Sequence, residues 1–338
     1  MRPRLIVTID TECDKTSNWY VRRPLSFESV EEGIGRRLQP LFDSFGVRPT
    51  YFLSPEVMCH RQSVALLAGL ANVELATHMH GDFIVPQIET WDFAGSVTDD
   101  MQFEYGLDLE RRKMAVLTEM FAQQFGRRPV SFRAGRFGIG RHTGRILQEL
   151  GYLADSSVTP HIAWTDKQGR LQPDFRGLPE FPYAVGAEGD LGRPGVSSLL
   201  EVPLTVLPAR AVPANNPVEP IWLRPWYSDA ETLERVVDYV LAQPARNGIA
   251  RPLVMMFHNV EVMAGASPYP QTAAEVERFL DQLRRTLPMP SNAACRLPLW
   301  PNIAAIMHSL RQLRSRRLSP ARLRPIPQRW PQADPRRR

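Results

Sequence analysis

Short apolar runs alternate with amphipathic stretches over the first 290 residues, and this alternation constrains the fold more than any other feature. Residues 4 to 9, 49 to 53, 73 to 76, 130 to 132, 152 to 155, 199 to 202 and 253 to 257 read as strands. Between them, residues 28 to 45 read as a helix with Val30, Ile34, Leu38, Leu41 and Phe42 on one face. Further helices are expected over 62 to 70, 109 to 125, 141 to 150, 229 to 242 and 271 to 286, with Gly126 and Gly151 as stops. A strand that hands over to a helix, again and again, builds a parallel sheet, as a barrel or a doubly wound layer. Between 157 and 228 the pattern dissolves. That Pro- and Gly-rich stretch is too long for a bare loop, so short strands or an active-site wall are expected there.

Composition narrows the class. With 338 residues and 43% hydrophobic content, the chain can bury a core without disulfides or a structural metal. Cys13, Cys59 and Cys295 have no paired spacing, which fits a reducing compartment. No run approaches the ~20 apolar residues of a membrane span, and the expected location is cytoplasmic. Residues 311 to 338 hold ten arginines, five prolines and one acid, a net +9. The rest of the chain carries 31 bases and 35 acids, a net −4, so the basic balance comes from the tail. The expected division is one catalytic domain over 1–315 and an Arg/Pro-rich tail over 316–338. The tail is read as poorly ordered, and its arginines suit peripheral contact with anionic lipid or lipopolysaccharide phosphate. Nothing else in the chain resembles a nucleic-acid reader.

The chemistry-bearing residues follow the apolar runs. Asp10 and Glu12 follow the first, His78 and His80 the third, Arg133 the run at 130, and His258 the run at 253; Glu201 lies within the run at 199. Active sites of barrels and parallel sheets lie at the carboxyl ends of their strands. A carboxylate and two imidazoles at one rim would suit zinc or a related first-row ion. His80-Gly81-Asp82 with His258 also spells the His-x-Asp…His set of a non-haem iron oxygenase, although that site normally sits in a β-rich fold.

The order of these motifs resembles the polysaccharide deacetylase family with the NodB-homology fold, and more narrowly its WalW-like branch. The resemblance spans about residues 4 to 290. It rests on Val7-Thr8-Ile9-Asp10-Thr11-Glu12, Glu74-Leu75-Ala76-Thr77-His78-Met79-His80, Phe132-Arg133-Ala134-Gly135-Arg136-Phe137-Gly138 and Met256-Phe257-His258-Asn259-Val260-Glu261. Leu200-Glu201-Val202-Pro203 and Leu223-Arg224-Pro225-Trp226-Tyr227 accompany them, the latter as a feature of the branch.

The resemblance implies a distorted, incomplete α/β barrel that removes N-acetyl groups from an amino sugar of a cell-envelope glycan, lipopolysaccharide or lipid-linked precursor. It implies one divalent metal, zinc first, with cobalt, nickel or iron also suited, held by Glu12, His78 and His80. Asp10 would then be the general base, Arg133 its orienting partner, and His258 the general acid. A backbone N–H near Phe137 would help hold the oxyanion, with Arg136, Glu201, Trp226 and Tyr227 against the substrate. Trp91 and Phe93 are further candidates for stacking on sugar faces.

The chain departs from the family pattern twice. Asp10-Thr11-Glu12 replaces adjacent aspartates, so Asp10 as ligand with Glu12 as base is the alternative assignment. His-x-His replaces His-x-x-x-His. A non-catalytic glycan-binding relative and a hydrolase of non-sugar C–N amides are the alternative functions.

Overall fold

β1, Leu5–Thr11, is buried along its whole length, as befits a strand covered on both faces of a parallel sheet. A computed structural model describes residues 5–84, 101–165, 169, 171–213, 219–244 and 251–287. β1 is followed by a π-helix, Ser29–Leu38, that runs directly into α1, Gln39–Phe45. The sequence reads this stretch as one helix. The ladder changes pitch beside Pro40, whose missing N–H cannot continue either pattern. β2 (Thr50–Leu53) leads into α2 (Pro55–Cys59) and α3 (Arg61–Gly69), which are separated by the extended backbone of His60.

β3 (Glu74–Met79) and α4 (Leu107–Phe125) follow, and Gly126 ends α4 in the left-handed region at φ 66°. β4 (Ser131–Ala134), α5 (Thr143–Glu149) and β5 (Ala154–Asp155) complete the regular half. Among its described residues, the stretch that lacks periodicity holds six short strands. These are β6 (Ala163–Thr165), β7 (Leu171–Asp174), β8 (Tyr183–Ala184), β9 (Leu200–Glu201), β10 (Val206–Leu207) and β11 (Ile221–Trp222). α6 (Ala230–Ala242), β12 (Leu253–His258) and α7 (Ala273–Thr286) end the described chain.

Eight strands form one curled sheet in the order β12-β1-β2-β3-β4-β5-β9-β8, parallel until the final antiparallel β9–β8 step. It is a distorted, incomplete barrel. The gap is partly bridged where the chain beyond β9 swings back to β12: Thr205 N–H donates to Val254 O, and Val254 N–H donates to Thr205 Oγ1. Register decides what meets at the rim. Asp10 lies opposite His258 of β12, His78 opposite Arg133, and Asp155 opposite Glu201. Among the described residues no helix is long and apolar enough to cross a membrane. Cys13 and Cys59 are free. Cys295, Trp91, Phe93, the boundary at 315 and the arginine-rich tail lie outside the described residues.

Candidate active site

Glu12, His78 and His80 point their ligand atoms at one another from the ends of β1 and β3. Glu12 Oε1 lies 3.3 Å from His78 Nε2 and 3.1 Å from His80 Nε2, and the two imidazole nitrogens are 3.1 Å apart. An ion about 2.1 Å from three such donors spaces them ~3.0 Å apart at right angles and ~3.4 Å apart in a tetrahedron. The three side chains are therefore spaced as ligands, and one carboxylate with two imidazoles is a donor set suited to zinc. All three are buried. His78 Nδ1 faces Arg133 O at 3.2 Å, so its proton is held there and Nε2 keeps its lone pair for the cluster. His80 fits only because residue 135 is glycine: a Cβ there would stand 2.5 Å from Met79 O and 3.0 Å from His80 Cε1.

Two buried cations balance the carboxylates. Lys15 Nζ lies 2.9 Å from Glu12 Oε2, so each oxygen of Glu12 has its own partner. Arg133 donates to Asp10 Oδ1 at 2.6 Å, while Asp10 Oδ2 lies 3.8 Å from His78 Nε2. Burial pushes both carboxyls up, but Arg133, His78 and His258 outweigh it for Asp10, and Lys15 and His80 do so for Glu12. Both end below their usual range, Glu12 well below. Burial takes His80 down to about 3, which keeps it neutral, the form that binds metal. His78 is pushed down by burial and up by Asp10 and Glu12, and the carboxylates win.

His258 closes the other side. Its Nε2 lies 3.7 Å from Glu12 Oε1, and its Nδ1 lies 2.8 Å from Glu261 Oε1, which as a carboxylate can only accept. Arg224 pairs with Glu261 behind it. Asn259 ties the two strand ends together, accepting from Glu12 N–H at 2.8 Å and donating to Glu12 O at 2.9 Å. Asp82 pairs with Arg136 rather than joining the cluster, so the oxygenase set is not assembled.

Other sequence candidates stand further out. Arg136 and Phe137 occupy left-handed backbone, φ 53° and 56°, immediately after β4. Such strain in non-glycine residues costs ~1–3 kcal/mol each and collects at functional sites. The Phe137 ring stacks on Trp164, with centroids 5.3 Å apart. Tyr227 is 47% exposed, whereas Trp226 stacks on Tyr269 and Phe279 and serves packing. Glu201 is fully buried opposite Asp155 and accepts from Val158 N–H at 3.1 Å; its partners are not those of the triad. Sequence reasoning missed Lys15 and the orienting role of Glu261. A His-x-x-Glu spacing hints at the latter, but no pattern announces that a loop lysine will fold back under Glu12.

No family model matches the chain, and no curated protein matches it by sequence. Solved structures do. A Mycobacterium smegmatis protein described as a polysaccharide deacetylase aligns over 97% of this chain and 99% of its own at TM-score 0.51 and 16% identity. The fold is the one seen in that deacetylase. A Parabacteroides distasonis protein described as a glycoside hydrolase/deacetylase aligns over 84% of this chain and 66% of its own, at TM-score 0.54 and 11% identity. The PuuE allantoinase aligns over 92% and 90%, at TM-score 0.50 and 15% identity.

Proposed function

We propose that this protein is a metal-dependent hydrolase that removes the N-acetyl group from an amino sugar, and that the sugar belongs to a cell-envelope glycan, lipopolysaccharide or lipid-linked precursor. One observation carries the reading: a Glu-His-His ligand set lies between an arginine-paired carboxylate and a carboxylate-paired histidine. Glu12, His78 and His80 are the ligands. A divalent ion bound there, zinc above all, supplies Lewis acidity toward the amide carbonyl.

Asp10 is the general base. Arg133 occupies one of its oxygens and keeps it ionised, and the other faces the cluster to take a proton from the attacking water. The new C–O bond makes a tetrahedral centre. His258, oriented through Nδ1 by Glu261, delivers a proton from Nε2 to the amide nitrogen as the C–N bond breaks. The amine leaves with that proton, and acetate remains. A backbone N–H near Phe137 is the proposed second support for the oxyanion. Residues 1–315 form the catalytic domain in this reading, with 316–338 as the tail, in a cytoplasmic protein. The WalW-like branch remains the family expectation.

The test is acetate release from a panel of N-acetylated saccharides by zinc-loaded protein, with chelated protein and Asp10→Asn as controls. Release that stops in both controls is the expected result. The panel includes allantoin and simple amides, because the same cluster would serve a non-sugar C–N bond and an allantoinase shares the fold. Metal binding without turnover of any substrate would make the protein a glycan-binding relative.

A further inference from the structure

The main chain of residues 12–15, the segment that leaves β1, is anchored at each position. Glu12 is tied to Asn259 through both its N–H and its carbonyl. Cys13 N–H donates to Glu56 Oε1 at 3.1 Å, and Asp14 N–H donates to Ser26 O at 2.9 Å. The Asp14 carboxylate in turn accepts from Ser29 N–H at 3.1 Å. Lys15 N–H donates to Ala266 O at 2.9 Å, and Lys15 forms an antiparallel bridge with Val21. This anchoring turns the Lys15 side chain back to Glu12, where Nζ lies 2.9 Å from Oε2 and 3.7 Å from Cys13 Sγ. Only 6% of that side chain is exposed, so water does not compete for the ammonium.

We propose that Lys15 is a positioning residue of the metal site: it holds Glu12 Oε2 and so limits Glu12 to ligation through Oε1 alone. A glutamate free at both oxygens can chelate an ion bidentately. Together with two imidazoles, that would fill a tetrahedral site and leave no position for water. Here Oε1 faces both imidazole nitrogens, while Oε2 is taken by the ammonium. Drawing Oε2 onto the ion would strip a buried ammonium of its anion, which is strongly unfavourable. The same contact separates the two carboxylates by role. Both Glu12 oxygens are engaged, whereas Arg133 holds Oδ1 of Asp10 and leaves Oδ2 facing the cluster, 3.8 Å from His78 Nε2. Lys15 thus fits the longer Glu12 to the ligand's part and leaves the base's part to Asp10. The inference rests on the proposed Glu-His-His ligand set and is independent of which substrate is cleaved.

The experiment is cobalt substitution of the full-length protein, read by cobalt content and visible absorption, neither of which needs turnover. Wild type is expected to take up about one cobalt per chain and to show the strong visible bands of a tetrahedral ion. Lys15→Met nearly keeps the length of the side chain and removes its charge. With its fold checked by circular dichroism, it is expected to bind cobalt with bands at least about twofold weaker, as the second Glu12 oxygen raises the coordination number. A folded Lys15→Met protein that holds cobalt with the wild-type spectrum, or no longer holds it, overturns the inference while the wild-type ligand set stands. Should Lys15→Met not fold, infrared difference spectra of wild type with and without zinc decide. A wide splitting of the zinc-sensitive carboxylate stretches supports ligation through one oxygen, and a narrow splitting overturns it. Wild type that takes up neither cobalt nor zinc defeats the ligand set itself, and the inference with it.

Discussion

At the scale of single residues, the site works by pairing. The buried carboxylates around the ligand cluster each have a cation as partner, and an unpaired buried charge there would cost several kcal/mol. Lys15 answers Glu12, Arg133 answers Asp10, and Arg224 answers Glu261. The Glu261–His258 contact is the one most open to test. In the proposed mechanism its carboxylate orients His258 as the acid that protonates the leaving amine. Glu261→Gln keeps the hydrogen-bond acceptor and removes the charge. Its kcat is expected to fall by about 10²-fold or more, with metal content unchanged. Full activity in the folded variant would remove Glu261 from the mechanism.

At the scale of elements, strand register gathers the site, and register is what the sequence conceals. The apolar runs mark β1, β3, β4 and β12 clearly, and a polar group after each reads as a rim residue. Asp10, His78, Arg133 and His258 were legible for that reason. Glu201 lies within its run rather than after it, and it faces Asp155 across the β5–β9 pair. Two residues of regular strand carry no alternation from which a face can be read. The Trp164–Trp222 contact was hidden for a related cause, since the two rings meet only once the aperiodic stretch has folded.

The Asp155–Glu201 pair has a measurable consequence. Burial raises Glu201 well above its ordinary value of 4.5, and Asp155 rises too, so the folded state holds a proton that the unfolded chain releases. A group raised on folding contributes stability that is lost as pH rises from its unfolded value through its folded one. Glu201→Gln removes that proton from the balance. Urea unfolding from about pH 5 to about pH 8 should show the variant gaining on wild type as pH rises. A constant difference would mean that the pair holds no extra proton.

At the scale of the whole molecule, an open parallel barrel brings distant parts of the chain to one rim, and the insertion after β5 walls one side of it. The arginine tail is set apart by charge alone: +9 against −4 in the rest of the chain. Deleting 311–338 is expected to weaken binding to anionic vesicles at low salt, with acetate release from a soluble substrate unaffected. Equal vesicle binding by the two forms would end that assignment.

The central claim is that Glu12, His78 and His80 hold a metal. Its most direct test is metal content by plasma mass spectrometry on zinc-reconstituted wild type and on His80→Ala. The expected result is about one zinc per wild-type chain and little in the variant. A folded wild type that stays metal-free, or a His80→Ala protein that keeps its full complement, would contradict it.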